Sequence, residues 1–168
     1  MSLAGAVDWV VDEEELALWG AELGRVAASS GTFVALYGAL GSGKSTLVRS
    51  ACRAAGVEGP VTSPTFKLVN RYALPDGPYV HHVDLYRIES AGQVWELGWQ
   101  DLVSGPGPVF VEWAERAAAL LPADRLDVRL GFVDEPLLRR VQACRCGDAP
   151  ELPVRASALP VRAPRTLA

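Results

Sequence analysis

Cysteine, histidine, asparagine and methionine are all scarce in this 168-residue chain: three Cys, two His, one Asn and one Met. An odd cysteine count argues against a disulfide framework. The first residues, Met1 to Trp9, lack the basic start and apolar stretch of a secretory signal. No apolar run reaches the ~20 residues that a membrane span requires. No membrane association and a cytoplasmic location are therefore expected. Positive charge is also short, with 16 Lys and Arg against 20 Asp and Glu, a net charge of -4 and a pI of about 5.2. A broad nucleic-acid surface needs clustered positive charge and is not expected. A single nucleotide stays open, because backbone N–H groups can hold phosphate. The guanine-reading pattern N-K-x-D is missing, since Asn70 is followed by Arg71, and so is the transporter signature L-S-G-G-Q. There is no internal repeat.

What is present fits one globular domain. Hydrophobic residues make up 49% and charged residues 21%, and a chain of this length buries enough surface to fold without staples. Asp12-Glu13-Glu14-Glu15 reads as a capped helix start, with Leu16, Trp19, Leu23 and Val26 at helical spacing and Ser29-Ser30-Gly31 as the stop. Thr32 to Tyr37 is a short apolar run, expected as a buried strand. A glycine-rich turn leads into a second helix bearing Leu47, Val48, Ala51, Cys52 and Ala55, with Gly56 as its expected C-terminal cap. Lys67 to Ala73 and Tyr79 to Asp84 read as strands joined through Pro75-Asp76-Gly77-Pro78. Ser90 to Leu102 reads as one helix, Val109 to Val111 as a strand, and Glu115 to Leu121 as a short helix. Leu126 to Phe132 and Leu138 to Ala143 read as late strands. The domain is expected over residues 1–146. Residues 147–168, with Pro150, Pro153, Pro160 and Pro164, read as a mobile tail.

Gly38-Ala39-Leu40-Gly41-Ser42-Gly43-Lys44-Ser45 fits G-x-x-x-x-G-K-[ST], between an expected strand and an expected helix. The glycines permit unusual backbone angles and close approach to oxygen atoms. The N–H groups of Gly41 to Thr46 would curl around a β-phosphate at the positive end of the helix dipole. Lys44 would span the β- and γ-phosphates, and the Ser45 hydroxyl would ligate Mg²⁺. ATP is favoured over GTP. Such a site needs a carboxylate for the metal and for placing water. Asp84 and Glu112 each end an apolar segment, and either could reach it.

The order of these motifs resembles one family. The phosphate loop is followed by Val61-Thr62-Ser63-Pro64-Thr65-Phe66, then His82-Val83-Asp84-Leu85-Tyr86-Arg87, Glu96-Leu97-Gly98 and Val111-Glu112-Trp113-Ala114-Glu115. This set, spanning Asp12 to Val141, resembles the TsaE (YjeE) family of small bacterial P-loop ATPases in tRNA threonylcarbamoyladenosine (t6A) formation. The resemblance implies an α/β P-loop fold with a central, mostly parallel sheet flanked by helices. It implies that Ser45 and Glu112 hold Mg²⁺, that Thr65 lies in a switch-like loop, that Asp84 serves hydrolysis near the γ-phosphate, and that Trp113 lies beside the nucleotide. It also implies weak ATP hydrolysis alone and action through TsaB- and TsaD-type partners, with tRNA met only indirectly. Self-association stays open. Three positions depart from the family pattern: Leu16 where Thr is usual, Ala114 where Pro is common, and Pro136 near the expected adenine position, where Gly is frequent and a proline has no N–H to donate.

Other readings stay in play. A metabolite kinase would need an acceptor pocket and an arginine-bearing lid, and no lid insertion is visible. A nucleotide-dependent binding module would need no turnover. Thr65 taken alone reads first as a turn hydroxyl and Trp113 as a packing aromatic, while Arg87 reads equally as a surface ion-pair partner. His81 and His82 point to opposite faces of a regular strand and so cannot share one zinc. Cys144-Arg145-Cys146 is a C-x-C with no partner pair. Arg139-Arg140 reads as a solvated face.

Overall fold

The structure, a computed structural model, describes residues 5–153. The chain runs β1 (Ala6–Val11), α1 (Glu13–Ser30), β2 (Phe33–Tyr37), α2 (Lys44–Ala54), β3 (Val69–Leu74), β4 (Gly77–Asp84), α3 (Ala91–Glu96), α4 (Trp99–Ser104), β5 (Val109–Glu112), a 3-10 turn (Ala114–Leu120), β6 (Arg125–Phe132) and β7 (Arg139–Cys146). The strands form one seven-stranded sheet in the order β1-β7-β6-β2-β5-β4-β3. Its four central strands, β6, β2, β5 and β4, are parallel, and the edge pairings β1–β7, β7–β6 and β4–β3 are antiparallel. The expected parallel sheet is thus its centre, built from crossovers. The edges are local hairpins, with one return strand from the N-terminus.

The two faces of the sheet carry separate cores. Val34, Leu36, Phe110, Leu126 and Val128 pack with α1 and α2. Phe33, Ala35, Val83, Val109 and Val111 pack with α3, α4 and the 3-10 turn. Strand alternation explains the split, because successive residues of β2 face opposite layers. α1 begins as expected: Asp12 Oδ1 accepts from Glu15 N at 2.8 Å, and Glu15 Oε2 accepts from Asp12 N at 3.1 Å. Glycines at 20 and 24 let α1 lie directly on α2. A Cβ on Gly24 would stand 2.1 Å from the Ala51 carbonyl oxygen.

Several expectations differ from the structure. β1 is absent from the expected elements, although Val7, Trp9 and Val11 alternate; its partner β7 lies at the far end of the domain in sequence, Val11 pairing with Arg139 and Ala6 with Cys144. The single helix expected over 90–102 is two, α3 and α4, because Gly98 takes a left-handed conformation (φ 74°) between them. The segment after Cys146 packs as far as it is described. Ala149 and Leu152 join the α1/α2 core, and Trp19 Nε1 donates to the Pro153 carbonyl at 3.1 Å. The prolines remove helical and strand periodicity without removing the two apolar side chains. The remainder of the expected tail lies outside the described residues. Among the described residues, no helix is long and apolar enough to cross a membrane.

Candidate functional site

β2 delivers the chain into the glycine-rich turn, and α2 starts at Lys44 with no side chain capping its N-terminus. The free N–H groups of that first turn are a ready anion site. Gly38, Gly41 and Gly43 all have positive φ (140°, 77° and 106°). A Cβ on Gly38 would lie 2.3 Å from the Leu130 carbonyl oxygen, and one on Gly43 would lie 2.7 Å from Leu16 Cδ2. Leu16 is therefore buried beneath the loop as a packing residue. Ala39 and Leu40 are exposed at the turn, Ser42 is fully buried, and Thr46 is half-buried on α2.

Lys44 is 4% exposed. Its Nζ donates to the carbonyls of Gly38 (2.6 Å) and Ala39 (3.0 Å) and sits 4.0 Å from the centroid of the Trp113 ring. Burial lowers its pKa, while the charges of Glu112, Glu115 and Asp84 act the other way. The turn after β5 places Trp113 there. Trp113 adopts φ 59°, and its ring lies 4.9 Å from that of Tyr86. Left-handed backbone on a bulky residue is costly and concentrates at functional sites.

Asp84 and Glu112 are register partners at the C-terminal ends of β4 and β5, and both are buried. Their positions are those that parallel strands present to the loop side of an α/β sheet. Ser45 Oγ donates to Glu112 Oε2 at 2.9 Å. That oxygen pair suits a hard divalent cation. Octahedral ligands at about 2.1 Å have neighbouring oxygens about 3 Å apart, so both atoms fit adjacent positions on Mg²⁺. Asp84 is held differently: its Oδ1 accepts from Tyr86 N and its Oδ2 from Thr65 Oγ1, each at 2.9 Å. Thr65 lies in the loop between α2 and β3, where Ser63 Oγ pairs with Thr65 Oγ1 at 2.8 Å.

One contact lies outside the expectations from sequence. His82, buried at 1% exposure, places Nε2 2.7 Å from Glu112 Oε1. On sequence grounds His82 enters as a member of the His82-to-Arg87 motif with no role assigned, and as a zinc ligand set aside because His81 faces the other way. The usable signal is its spacing two residues before Asp84, which puts both on one strand face. His81 faces the other way, and burial lowers its pKa, helped by Arg71. Pro136 stands exposed in the β6–β7 turn, its carbonyl accepting from Arg139 Nη1 at 2.7 Å. That turn follows Phe132, whose ring would be 4.0 Å from a Cβ on Gly41. Arg87 stacks 4.6 Å over Phe66, and Arg139 4.8 Å over Phe132. Arg140 pairs with Asp8 on the exposed sheet edge. Cys144 is exposed, and Cys146 Sγ donates to Asp127 Oδ2 at 3.6 Å.

A glycine-lined turn feeding a helix, above parallel strands that end in paired acids, places the chain in the P-loop nucleoside-triphosphatase fold. The crystal structure of a Bacillus protein, YdiB, shares that fold, with a TM-score of 0.66 over 88% of this chain and 90% of that one at 23% identity. Residues 10–140 match the family described as Threonylcarbamoyl adenosine biosynthesis protein TsaE, and the chain belongs to the TsaE family. The tRNA threonylcarbamoyladenosine biosynthesis protein TsaE of Treponema pallidum is 34% identical over 117 residues, 70% of this chain and 84% of that protein. The protein of the same name from Mycobacterium tuberculosis is 42% identical over 125 residues, 70% of this chain and 73% of that one.

Proposed function

We propose that this chain is an ATPase of t6A biosynthesis in the cytoplasm, binding ATP with Mg²⁺ and acting through a TsaB–TsaD type pair. The observation that carries the reading is the Ser45–Glu112 oxygen pair, 2.9 Å apart at the start of α2. It supplies two hard ligands beside a buried ammonium group and an uncapped helix N-terminus.

The loop amides of Gly41 to Thr46 hold phosphate oxygens, and Lys44 leaves its carbonyl partners to meet the β- and γ-phosphates. Ser45 and Glu112 would hold the cation, which supplies neutralisation of charge on the phosphate oxygens. Trp113 walls the site beside Lys44. Asp84 keeps the Thr65 loop in place and lies where a carboxylate can orient water. Turnover is slow alone because these groups position and neutralise, and nothing among them closes the site. Pro136 lies in a turn near the loop and contributes no N–H to the base.

Calorimetry with ATP and Mg²⁺ tests the site: the native chain binds, and Lys44→Ala loses binding. Unchanged affinity in that variant would remove the site from the loop. A t6A reconstitution with the partner pair, with this chain added or omitted, tests the function. Repeated turnover that depends on the chain supports it, and yield indifferent to the chain refutes it.

A further inference from the structure

Glu112 is a carboxylate in the protein interior, 2% exposed, and such a group needs donors on both oxygens. Oε2 has Ser45 Oγ. Oε1 has His82 Nε2, at 2.7 Å. A carboxylate only accepts, so Nε2 carries the hydrogen and donates it. Nδ1 of the same ring is buried and without a partner. Among the described residues, the one hydrogen bond this imidazole makes is therefore the one to Glu112. A histidine kept for packing alone would not need its single donor aimed at an acid of the phosphate site.

We infer that His82 is a positioning residue: its Nε2–H fixes the Glu112 carboxylate so that Oε2 faces Ser45 and the divalent cation. The inference rests on the proposed Mg²⁺–nucleotide site and deepens it. The register supports it. Asp84 pairs with Glu112, and His82 pairs with Phe110, so His82 and Glu112 share one face of adjacent strands and meet on a diagonal. A cation taking Oε2 and the Ser45 oxygen leaves His82 as the remaining donor on Glu112. Outer partners of this kind set metal affinity by holding the ligand's plane.

The test titrates Mg²⁺ into the full chain with ADP, reading the Mg²⁺ concentration at half-maximal ADP binding, and repeats ADP binding in EDTA. His82→Leu, which removes the donor, should raise the Mg²⁺ midpoint about 10- to 100-fold. Its ADP affinity in EDTA should stay within about twofold of native, since loop amides and Lys44 bind phosphate without the metal. His82→Gln, whose amide nitrogen falls near the Nε2 position, should restore the midpoint to within about threefold. If His82→Leu fails to fold, the contrast is Gln against Asn, whose shorter amide cannot reach Glu112. A native midpoint in His82→Leu, equal impairment by Leu and Gln, or loss of ADP affinity in EDTA overturns the inference. A native chain that binds no nucleotide at all refutes the proposed function before any variant is made, which keeps the two failures apart.

Discussion

Thr65 Oγ1 donates to Asp84 Oδ2 at 2.9 Å, joining residues 19 apart and tying the S-P-T-F loop to the end of β4. The loop is anchored on either side of that bond. Tyr72 OH donates to the Thr62 carbonyl at 3.0 Å, and Leu68, at φ 64°, hands its carbonyl to Asp84 N at 2.9 Å. A loop pinned at both ends and tied in the middle by one hydroxyl can change state by exchanging that hydroxyl's partner. Thr65→Val keeps the shape and removes the exchange. ATP turnover should fall about tenfold or more, as for loss of a group used only in the transition state. ADP affinity should stay native. Parallel loss of both, in a steady-state assay and a binding titration, would make Thr65 a binding group instead.

The α1–α2 contact positions the phosphate loop, and its tightest point is Gly24 against the Ala51 carbonyl. The three nearest atoms, the O, C and Cα of Ala51, are all backbone, so no side chain can turn away. Gly24→Ala should destabilise the fold by about 2 kcal/mol or more, overpacking outweighing the roughly 1 kcal/mol that alanine gains in a helix. Gly92→Ala in α3 meets only Ser90 Oγ at 3.8 Å and should stabilise by about 0.5–1 kcal/mol. Urea unfolding of the two variants checks the opposite signs.

The parts legible in sequence were those set by local chemistry. The phosphate loop was visible because strand, glycine turn and helix are contiguous, and Asp84 and Glu112 because each ends an apolar run. α1 was visible through its acidic cap and its apolar stripe. What escaped needed distant partners. β1 alternates over six residues but exists only through β7. The break at Gly98 is one residue's backbone freedom inside a convincing helical pattern. The His82–Glu112 bond spans 30 residues and depends on which strands are neighbours. Leu152 lies between prolines in a stretch without periodicity, and nothing local says it is buried.

Leu152 is the sharpest case, because its burial converts part of an apparent tail into core. It is 9% exposed, in the same cluster as Trp19 and Leu23. Leu152→Ala in the full chain should cost about 2–3 kcal/mol. A surface residue would cost within about 0.5 kcal/mol. Chemical denaturation separates these outcomes directly.

Cys52 provides a pH test of the core. Burial pushes its thiol from 9.0 up to about 12, and the residue is fully enclosed on the inner face of α2. Its folded pKa lies above the unfolded one, so the stability it confers is complete below pH 9. That stability drains as the unfolded thiol ionises between about pH 9 and 12. By pH 11 the loss should be about 3 kcal/mol, because ionisation confined to the unfolded chain favours that state by about 1.4 kcal/mol for every pH step of one. Cys52→Ala lacks this thiol but retains every other titrating group, so those cancel in the comparison. At pH 8 the variant should be less stable than the native chain by about 1–2 kcal/mol, the transfer and cavity cost of a small core side chain. At pH 11 the order should reverse. Urea midpoints for both chains at the two pH values decide it: a gap that stays constant would mean that Cys52 ionises as readily folded as unfolded, and would contradict its enclosure between α2 and the sheet.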